Sequence, residues 1–329
     1  MKAMVLAAGL GRRMRPLTLW RAKAVLPVLN RPLLHWTLER LRAHGVTEVI
    51  VNLHHLPETV TAAVGDGRAF GLRVRYVRER RILGTAGGPR AVRELLGEEP
   101  VLLVNGDVLF DFDLTDLVAR HRASGARLTL ALKPNPDPRT YGPVVTGRGG
   151  RVLSIAGLPR PARGRISLFT GVHVLDPTVL DRLSPGPADS VRDVYAPLVA
   201  AGETLLGVRV RGAWYDLGRP SLYRDAQLRL LPGSRSLVHP RARRGRGARL
   251  LRSVVGRGAR IGPGARVVRS ILWEGAVVES GALVRGSIVL DGGRVASGAR
   301  VENVIVLPAR PRAHQGAGGR GRMTQVEIR

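Results

Sequence analysis

Gly9-Leu10-Gly11 ends an apolar run at the start of the chain, and Arg12, Arg13, Arg15, Arg21 and Lys23 follow. A strand that opens into small glycines presents backbone N–H groups, and neighbouring cations add positive charge. Together they suit a polyphosphate. Lys23 is the sharper clue. The chain holds 53 Lys+Arg, yet its lysines are Lys2, Lys23 and Lys133 alone. A lysine kept beside a glycine loop marks a place for a compact point charge rather than a planar guanidinium fork. Two carboxylates complete the set. Asn105-Gly106-Asp107 follows an apolar segment, and Trp214-Tyr215-Asp216-Leu217-Gly218 bounds a second aspartate with apolar residues and glycine. Aspartates that hold Mg²⁺ against phosphate oxygens, with cations that offset a leaving pyrophosphate, are what metal-assisted transfer at a nucleoside triphosphate requires. The glycine loop lacks the third glycine of a dinucleotide fingerprint and the Gly-Lys-Ser/Thr ending of a P-loop.

The elements that must position these residues alternate. The pattern predicts strands over Ala3–Ala8, Glu48–Leu53, Arg73–Arg78 and Pro100–Asn105. It predicts helices over Leu33–His44 (ending at Gly45), Pro57–Val64 and Arg90–Leu96. Strand and helix in turn argue for a doubly wound α/β sheet with a mostly parallel core. Ligands bind such sheets outside the carboxyl ends of the strands, where the glycine loop and Asp107 both fall. Leu128–Lys133, Arg165–Leu175 and Leu205–Arg211 read as further strands. His54 and His55 read as strand-end loop residues.

The organisation changes near residue 236. Ser253-Val254-Val255, Ser270-Ile271-Leu272, Ser287-Ile288-Val289 and Asn303-Val304-Ile305 recur every 16 or 17 residues, with Gly-Ala pairs between them. Apolar residues near every sixth position and glycines at corners predict a parallel β-helix from about Leu237 to Pro308. The expected division is a catalytic domain over 1–235, the β-helix over 236–308, and a basic, mobile tail over 309–329.

At 329 residues the chain is long enough for two cores, and a hydrophobic fraction of 44% fits a globular protein. No apolar run reaches the ~20 residues that span a bilayer. There is no signal-type amino terminus and no cysteine, so the expected setting is the cytoplasm, without disulfides or thiolate metal sites. A formal charge of +28 invites polyanions. The aromatic fraction is only 4% and the arginines are spread along the whole chain, which reads as a composition bias. Neither nucleic acid nor membrane is an expected partner.

The first ~235 residues resemble the sugar-1-phosphate nucleotidyltransferases, with five motifs in order. The opening motif Leu-Ala-Ala-Gly-x-Gly-Thr-Arg-Leu-x-Pro-Leu-Thr is matched from Leu6 to Thr18, with Arg12 in place of the threonine. Ala22-Lys23-Ala24 stands for Pro-Lys-Pro, Leu83-Gly84-Thr85-Ala86-Gly87 for the base-recognition segment, and Val104–Asp107 and Trp214–Gly218 for the two metal motifs. The repeat resembles the left-handed β-helix that many members append, and Gly84–Gly87 resembles the mannose-1-phosphate guanylyltransferase branch.

The resemblance implies a Rossmann-like nucleotidyltransferase sheet that binds a nucleoside triphosphate and a sugar 1-phosphate. Leu6, Ala8, Gly9, Gly11, Arg12, Glu79, Gly84 and Thr85 would contact the nucleotide. Arg13 would grip the β- and γ-phosphates, and Lys23 would bridge the α-phosphate and the sugar phosphate. Asp107 and Asp216 would hold Mg²⁺, while Asn105, Gly142 and Gly171 would contact the sugar. The family's Glu-Lys-Pro sugar segment is replaced by Ala156-Gly157-Leu158-Pro159. Glu79 suits the N1–H and amino group of guanine, so GTP and mannose 1-phosphate are the expected substrates. UTP or dTTP with glucose 1-phosphate is the alternative, and a non-catalytic regulatory member a third reading. Histidine-dependent acyl transfer on the β-helix is not expected, since Arg241–Arg312 contains no histidine. The β-helix is expected to hold a homo-oligomer together.

Overall fold

The computed structural model describes residues 1–308 and 325–328. Two units interleave in sequence. Met1–Gly11, Trp20–Val25 and Leu33–Tyr215 make the first, and Arg12–Leu19, Leu26–Pro32 and Asp216 onward make the second.

The first unit is built on a nine-stranded sheet. At its centre Arg73–Arg78, Glu48–Leu53, Lys2–Leu6 and Val101–Asn105 lie side by side, all parallel. Alternation along these strands feeds two cores. Ala3, Val5, Val49, Val51, Leu102 and Val104 point to one face, and Met4, Ile50, Val101 and Leu103 to the other. Both faces are therefore covered, as a doubly wound sheet requires.

Leu33–Ala43 supplies part of that cover, burying Leu34, Thr37, Leu38 and Leu41 along one stripe. Each fully buried leucine contributes roughly 1.5–3 kcal/mol. The helix stops where Gly45 turns left-handed at φ +78°, and the amide of Val46 bonds back to the carbonyl of Leu41 at 3.1 Å.

Glu48–Leu53, Pro57–Val64, Arg73–Arg78 and Arg165–Leu175 fall where the pattern predicts them. Other elements differ. The predicted helix Arg90–Leu96 instead begins at Gly84 and breaks between Gly84–Ala91 and Arg93–Leu96. Leu114–Ser124 is an unpredicted helix, capped by Asp113 accepting from the amides of Thr115 and Asp116. Arg165–Leu175 runs antiparallel to three neighbours, Val101–Asn105, Leu128–Pro134 and Pro143–Thr146. Its register shifts between Phe169 and His173, around Gly171 at φ +78°. That bulge lets one long strand serve both the parallel core and an antiparallel wing.

The second unit carries the helix Pro220–Leu230 and the β-helix. Three stacks of short parallel strands form its faces, beginning at Leu237–Val238, Arg243–Arg244 and Arg249–Leu251. Val255, Leu272, Val289 and Val306 line one inner face, Ile261, Val278 and Val295 the next, and Val267, Val284 and Val301 the third. The Gly-Ala pairs divide two tasks. Gly258, Gly264, Gly275 and Gly281 take positive φ at corners, while Ala259, Ala265, Ala276 and Ala282 are fully buried.

A serine ladder fixes the register of the rungs. The amide of Ser270 donates to Ser253 Oγ at 3.2 Å, and that of Ser287 to Ser270 Oγ at 3.1 Å. Asn303 does not continue the ladder. Ile288 pairs with Ile305, so Val304 occupies the next rung of the ladder and its amide donates to Ser287 Oγ. Asn303 takes instead the left-handed corner held by Arg252, Arg269 and Gly286 in earlier rungs, a conformation asparagine tolerates.

Within the stretch expected to be mobile, Gln325–Glu327 instead pairs antiparallel with Val304–Val306. The rest of that stretch, 309–324 and 329, lies outside the described residues.

Candidate active site

Leu6 ends the first strand between two asparagines, its register partners Asn52 and Asn105 on the flanking parallel strands. This is the carboxyl edge of the sheet, and the first unit gathers most of the candidate residues there. The amide of Gly106 donates to the carbonyl of Leu6 at 2.9 Å, tying the Asp107 turn to the start of the glycine loop. A Cβ on Gly106 would stand 2.7 Å from that same carbonyl oxygen, so only glycine allows the approach.

Lys23 lies in a short 3₁₀ turn, Lys23–Val25, anchored by buried Ala24 and Val25. The amide of Ala22 donates to Thr59 Oγ1 at 3.1 Å. From this turn Lys23 Nζ reaches Asp107 Oδ2 at 2.6 Å, with the two side chains 14% and 30% exposed. The sequence-predicted lysine and first aspartate are therefore in direct contact. Gly9 is exposed, and a Cβ there would meet nothing within 4 Å. Ala8 is buried.

Glu79, expected at the base, is buried at 6% exposure. Its Oε1 accepts from Asn52 Nδ2 at 2.7 Å and its Oε2 from the amide of Leu83 at 2.9 Å. Asn52, which sequence reasoning missed, also accepts the amide of Ala7 on Oδ1 at 2.8 Å. The signal that could have found it is a lone amide near the carboxyl end of an otherwise apolar strand.

Gly84 and Thr85 open the helix Gly84–Ala91 and are exposed. The amides of Ala86 and Gly87 donate to the carbonyl of Ala188, at 3.0 and 3.3 Å. Thr85 Oγ1 accepts from the amide of Ser190 at 2.8 Å. The start of this helix is thus satisfied largely from within the unit.

Of the residues expected at the sugar, Gly171 leaves room for Asn105, whose Nδ2 would lie 2.7 Å from a Cβ at 171. Gly142 is exposed beside Ala156. Trp214 Nε1 donates to the carbonyl of Thr170 at 2.8 Å, and its ring meets Tyr141 edge-on at 5.7 Å. His173 is buried among Phe169 and Tyr195, with Nε2 2.9 Å from the Tyr195 hydroxyl. Burial pushes its pKa down to about 3, so it stays neutral and bears on stability rather than on proton transfer.

Arg12, Arg13 and Asp216 belong to the second unit. Arg12 and Arg13 form an exposed 3₁₀ turn with buried Met14. Asp216 Oδ1 accepts from the amide of Gly218 at 2.7 Å.

Among the described residues, no three His, Cys, Asp or Glu side chains gather as a metal cage. Magnesium held by one or two carboxylates and by substrate phosphates needs no such cage. The partly exposed carboxylate of Asp107 fits that mode. No helix among the described residues is long and apolar enough to cross a membrane.

The fold agrees with that of known proteins. The nucleotidyl transferase family model matches residues 2–232, and the chain belongs to that family. The GMPPB C-terminal domain model matches residues 233–315. The UTP–glucose-1-phosphate uridylyltransferase of Synechocystis is 34% identical over 241 residues, covering 69% of this chain and 62% of the relative. The mannose-1-phosphate guanylyltransferase of Mycobacterium tuberculosis is 37% identical over 221 residues, covering 66% and 61%. The mannose-1-phosphate guanylyltransferase catalytic subunit beta of Dictyostelium discoideum is 32% identical over 223 residues, covering 67% and 62%. The match thus spans less than two thirds of the length of each of these relatives. A Bacillus anthracis structure in complex with sucrose, described as a glucose-1-phosphate thymidylyltransferase, shares the fold. Its TM-score is 0.60 at 21% identity, over 71% of this chain and 98% of that one.

Proposed function

We propose that this chain transfers the guanylyl group of GTP to mannose 1-phosphate, giving GDP-mannose and pyrophosphate. The observation that carries the reaction type is the Lys23–Asp107 pair, 2.6 Å apart at the carboxyl edge of the parallel sheet. It sets one point cation and one metal-type carboxylate where the glycine loop leaves the first strand.

An oxygen of the sugar phosphate attacks the α-phosphorus in line. The bond to the bridging oxygen breaks, and pyrophosphate leaves with that electron pair. The nucleophile is already anionic near neutral pH, so the step needs no general base and rests on positioning and charge. Lys23 neutralises the α-phosphate and the incoming sugar phosphate, and Arg13 the β- and γ-phosphates. Leu6, Ala8, Gly9, Gly11, Arg12, Glu79, Gly84 and Thr85 bind the nucleotide, and Asn105, Gly142 and Gly171 the sugar. Asp107 and Asp216 would hold Mg²⁺, which when bound draws charge from the phosphate oxygens.

The choice of GTP and mannose is supported by the match of residues 233–315 to the GMPPB C-terminal domain and by the guanylyltransferase relatives. Glu79 Oε1 accepts from Asn52 Nδ2 and Oε2 from the amide of Leu83, which leaves a lone pair on each oxygen for a guanine N–H. Uridylyl transfer to glucose 1-phosphate is the second reading, favoured by the Synechocystis relative. The same proposal has the chain working in the cytoplasm as a homo-oligomer held through the β-helix. The exposed Leu237, Val238 and Leu251 of its first rung support self-association.

The test pairs GTP, UTP, dTTP, ATP or CTP with mannose 1-phosphate or glucose 1-phosphate, with Mg²⁺ and pyrophosphatase, and follows phosphate release. Release with GTP and mannose 1-phosphate, lost in Asp107→Ala, is the expected result. Release with another pair alone replaces the proposed substrates, and no release with any pair overturns the reading.

A further inference from the structure

We infer that the first two rungs of the β-helix bind an oligophosphate, at a site that the nucleotidyl-transfer reading does not use.

Charge is distributed unevenly along this unit. From Ala226 to Trp273 the sequence holds twelve arginines and no aspartate or glutamate. From Glu274 to Val306 it holds three arginines and four acids. The first stretch includes the first two rungs, and the second the remaining ones. A preference for arginine over lysine does not account for the missing acids.

The fold aligns these arginines rather than separating them. Arg243 pairs in register with Arg260, and Arg249 with Arg266. In the third rung the same two columns carry Val277 and Leu283, so the stacking of arginine on arginine stops there. All four arginines are exposed, and their side chains have no hydrogen-bond or ion-pair partner among the described residues. Like charges directly opposite one another destabilise a sheet. Two such pairs with no acid beside them are a local conflict, and such conflicts concentrate at functional sites.

The first column borders a groove of about 560 Å³, lined by Arg243, Arg244 and Arg260 beside Gly245 and Gly262. A Cβ on Gly245 would stand 2.5 Å from the backbone nitrogen of Pro263, and one on Gly262 2.6 Å from that of Ser280. The stacking of the rungs therefore keeps both positions bare and leaves backbone beside the arginines. Glu279 is the acid in the lining, and it is already held by Arg294 and by the amide of Ser297 at 2.9 Å.

Each guanidinium presents a fork that takes two oxygens of one phosphoryl group. Two forks one rung apart, about 4.8 Å, suit phosphoryl groups of a single di- or triphosphate chain. Among the described β-helix residues Trp273 is the one Phe, Tyr or Trp, and it is buried, so no aromatic face is there to stack a base. The chemistry recognised is the phosphate chain, carried by a nucleotide or free.

Isothermal titration calorimetry of the full chain with tripolyphosphate tests this, in EDTA at about 0.1 M salt. The parent is compared with Arg243→Ala, Arg260→Glu and the fourth-rung control Arg300→Ala. One binding component is expected to weaken roughly 10–100-fold in Arg243→Ala, to vanish in Arg260→Glu, and to stay unchanged in Arg300→Ala. Competition by GTP for that component supports a nucleotide as the source, and its failure supports a free oligophosphate. Without ligand, Arg260→Glu is expected to raise the unfolding temperature by roughly 1–4 °C, because an opposite-charge pair replaces a like-charge one. A fall there means that Arg260 is kept for structure, and overturns the inference. Equal affinity in the parent and Arg243→Ala, or an equal loss in Arg300→Ala, overturns it as general surface attraction. A single-stranded oligonucleotide that binds the component more tightly than tripolyphosphate overturns it in favour of nucleic acid.

Discussion

Lys23 and Asp107 are 84 residues apart in sequence, yet Nζ of one lies 2.6 Å from Oδ2 of the other. Each comes from a turn packed on the parallel sheet, so the pair is held by the fold rather than by two flexible side chains meeting at the surface. The pairing explains why a chain so rich in arginine keeps a lysine here. A planar guanidinium is a different shape from a point charge and seeks a bidentate partner. Lys23→Arg is therefore expected to fold normally and to lose about 10²–10³-fold in kcat, the scale of removing one transition-state charge stabiliser. Steady-state kinetics with a circular dichroism control checks this. Parental turnover in Lys23→Arg would remove the need for lysine at this site.

Gly106 makes a second, steric prediction. Its amide bonds the carbonyl of Leu6, and an added methyl would sit 2.7 Å from that oxygen. Because the obstacle is backbone, Gly106→Ala must shift the Asp107 turn. The expected outcome is a loss of about 1–3 kcal/mol in stability, typical of overpacking, with a further fall in activity. Urea unfolding and turnover on the same sample separate the two. A variant with parental values of both would mean that the turn can yield.

His173 predicts a pH dependence. Burial lowers its pKa to about 3 in the folded chain, against an ordinary value near 6.5 in the unfolded one. Between those values the unfolded state binds the proton and the folded state does not. Stability from this residue is therefore fully present above pH ~6.5 and falls as the pH drops towards about 3. From pH 7 to pH 5 the expected loss is roughly 2 kcal/mol, at 1.36 kcal/mol per unit. Urea unfolding at the two pH values should show that loss in the parent and a smaller one in His173→Gln. Equal slopes would mean that His173 is protonated in the fold or hydrated.

The serine ladder makes the β-helix sensitive to single hydroxyls. Ser270 Oγ accepts the amide of Ser287 at 3.1 Å and donates to the carbonyl of Val268 at 2.8 Å, with the residue fully buried. Ser270→Ala leaves a buried amide unpaired and is expected to cost about 1–3 kcal/mol. Exposed Ser297→Ala should stay within about 0.5 kcal/mol of the parent. Thermal unfolding of both variants checks the contrast, and equal midpoints would count against the ladder.

Local pattern made much of this legible. The buried strand Glu48–Leu53 and the amphipathic Leu33–Ala43 carry their periods openly. The serine recurrence reported the rungs because one rung is one repeat. What stayed hidden depends on partners distant in sequence. One hydrogen bond on Glu79 comes from Asn52, on the neighbouring strand, and nothing near residue 79 announces it. The shift of Asn303 by one position arises because Val304 takes the ladder rung and asparagine suits the left-handed corner. The register shift of Arg165–Leu175 falls at Gly171, whose need for a positive φ shows only in three dimensions. Lys23 and Asp107 were nominated by residue type, but their contact was not.

The most direct test of nucleotidyl transfer follows the atoms. The chain is incubated with GTP, Mg²⁺ and mannose 1-phosphate bearing ¹⁸O in its phosphate, and the products are read by mass spectrometry. Attack by the sugar phosphate on the α-phosphorus puts the label in GDP-mannose and leaves pyrophosphate unlabelled. Labelled pyrophosphate, or no sugar nucleotide from this pair, would contradict the account.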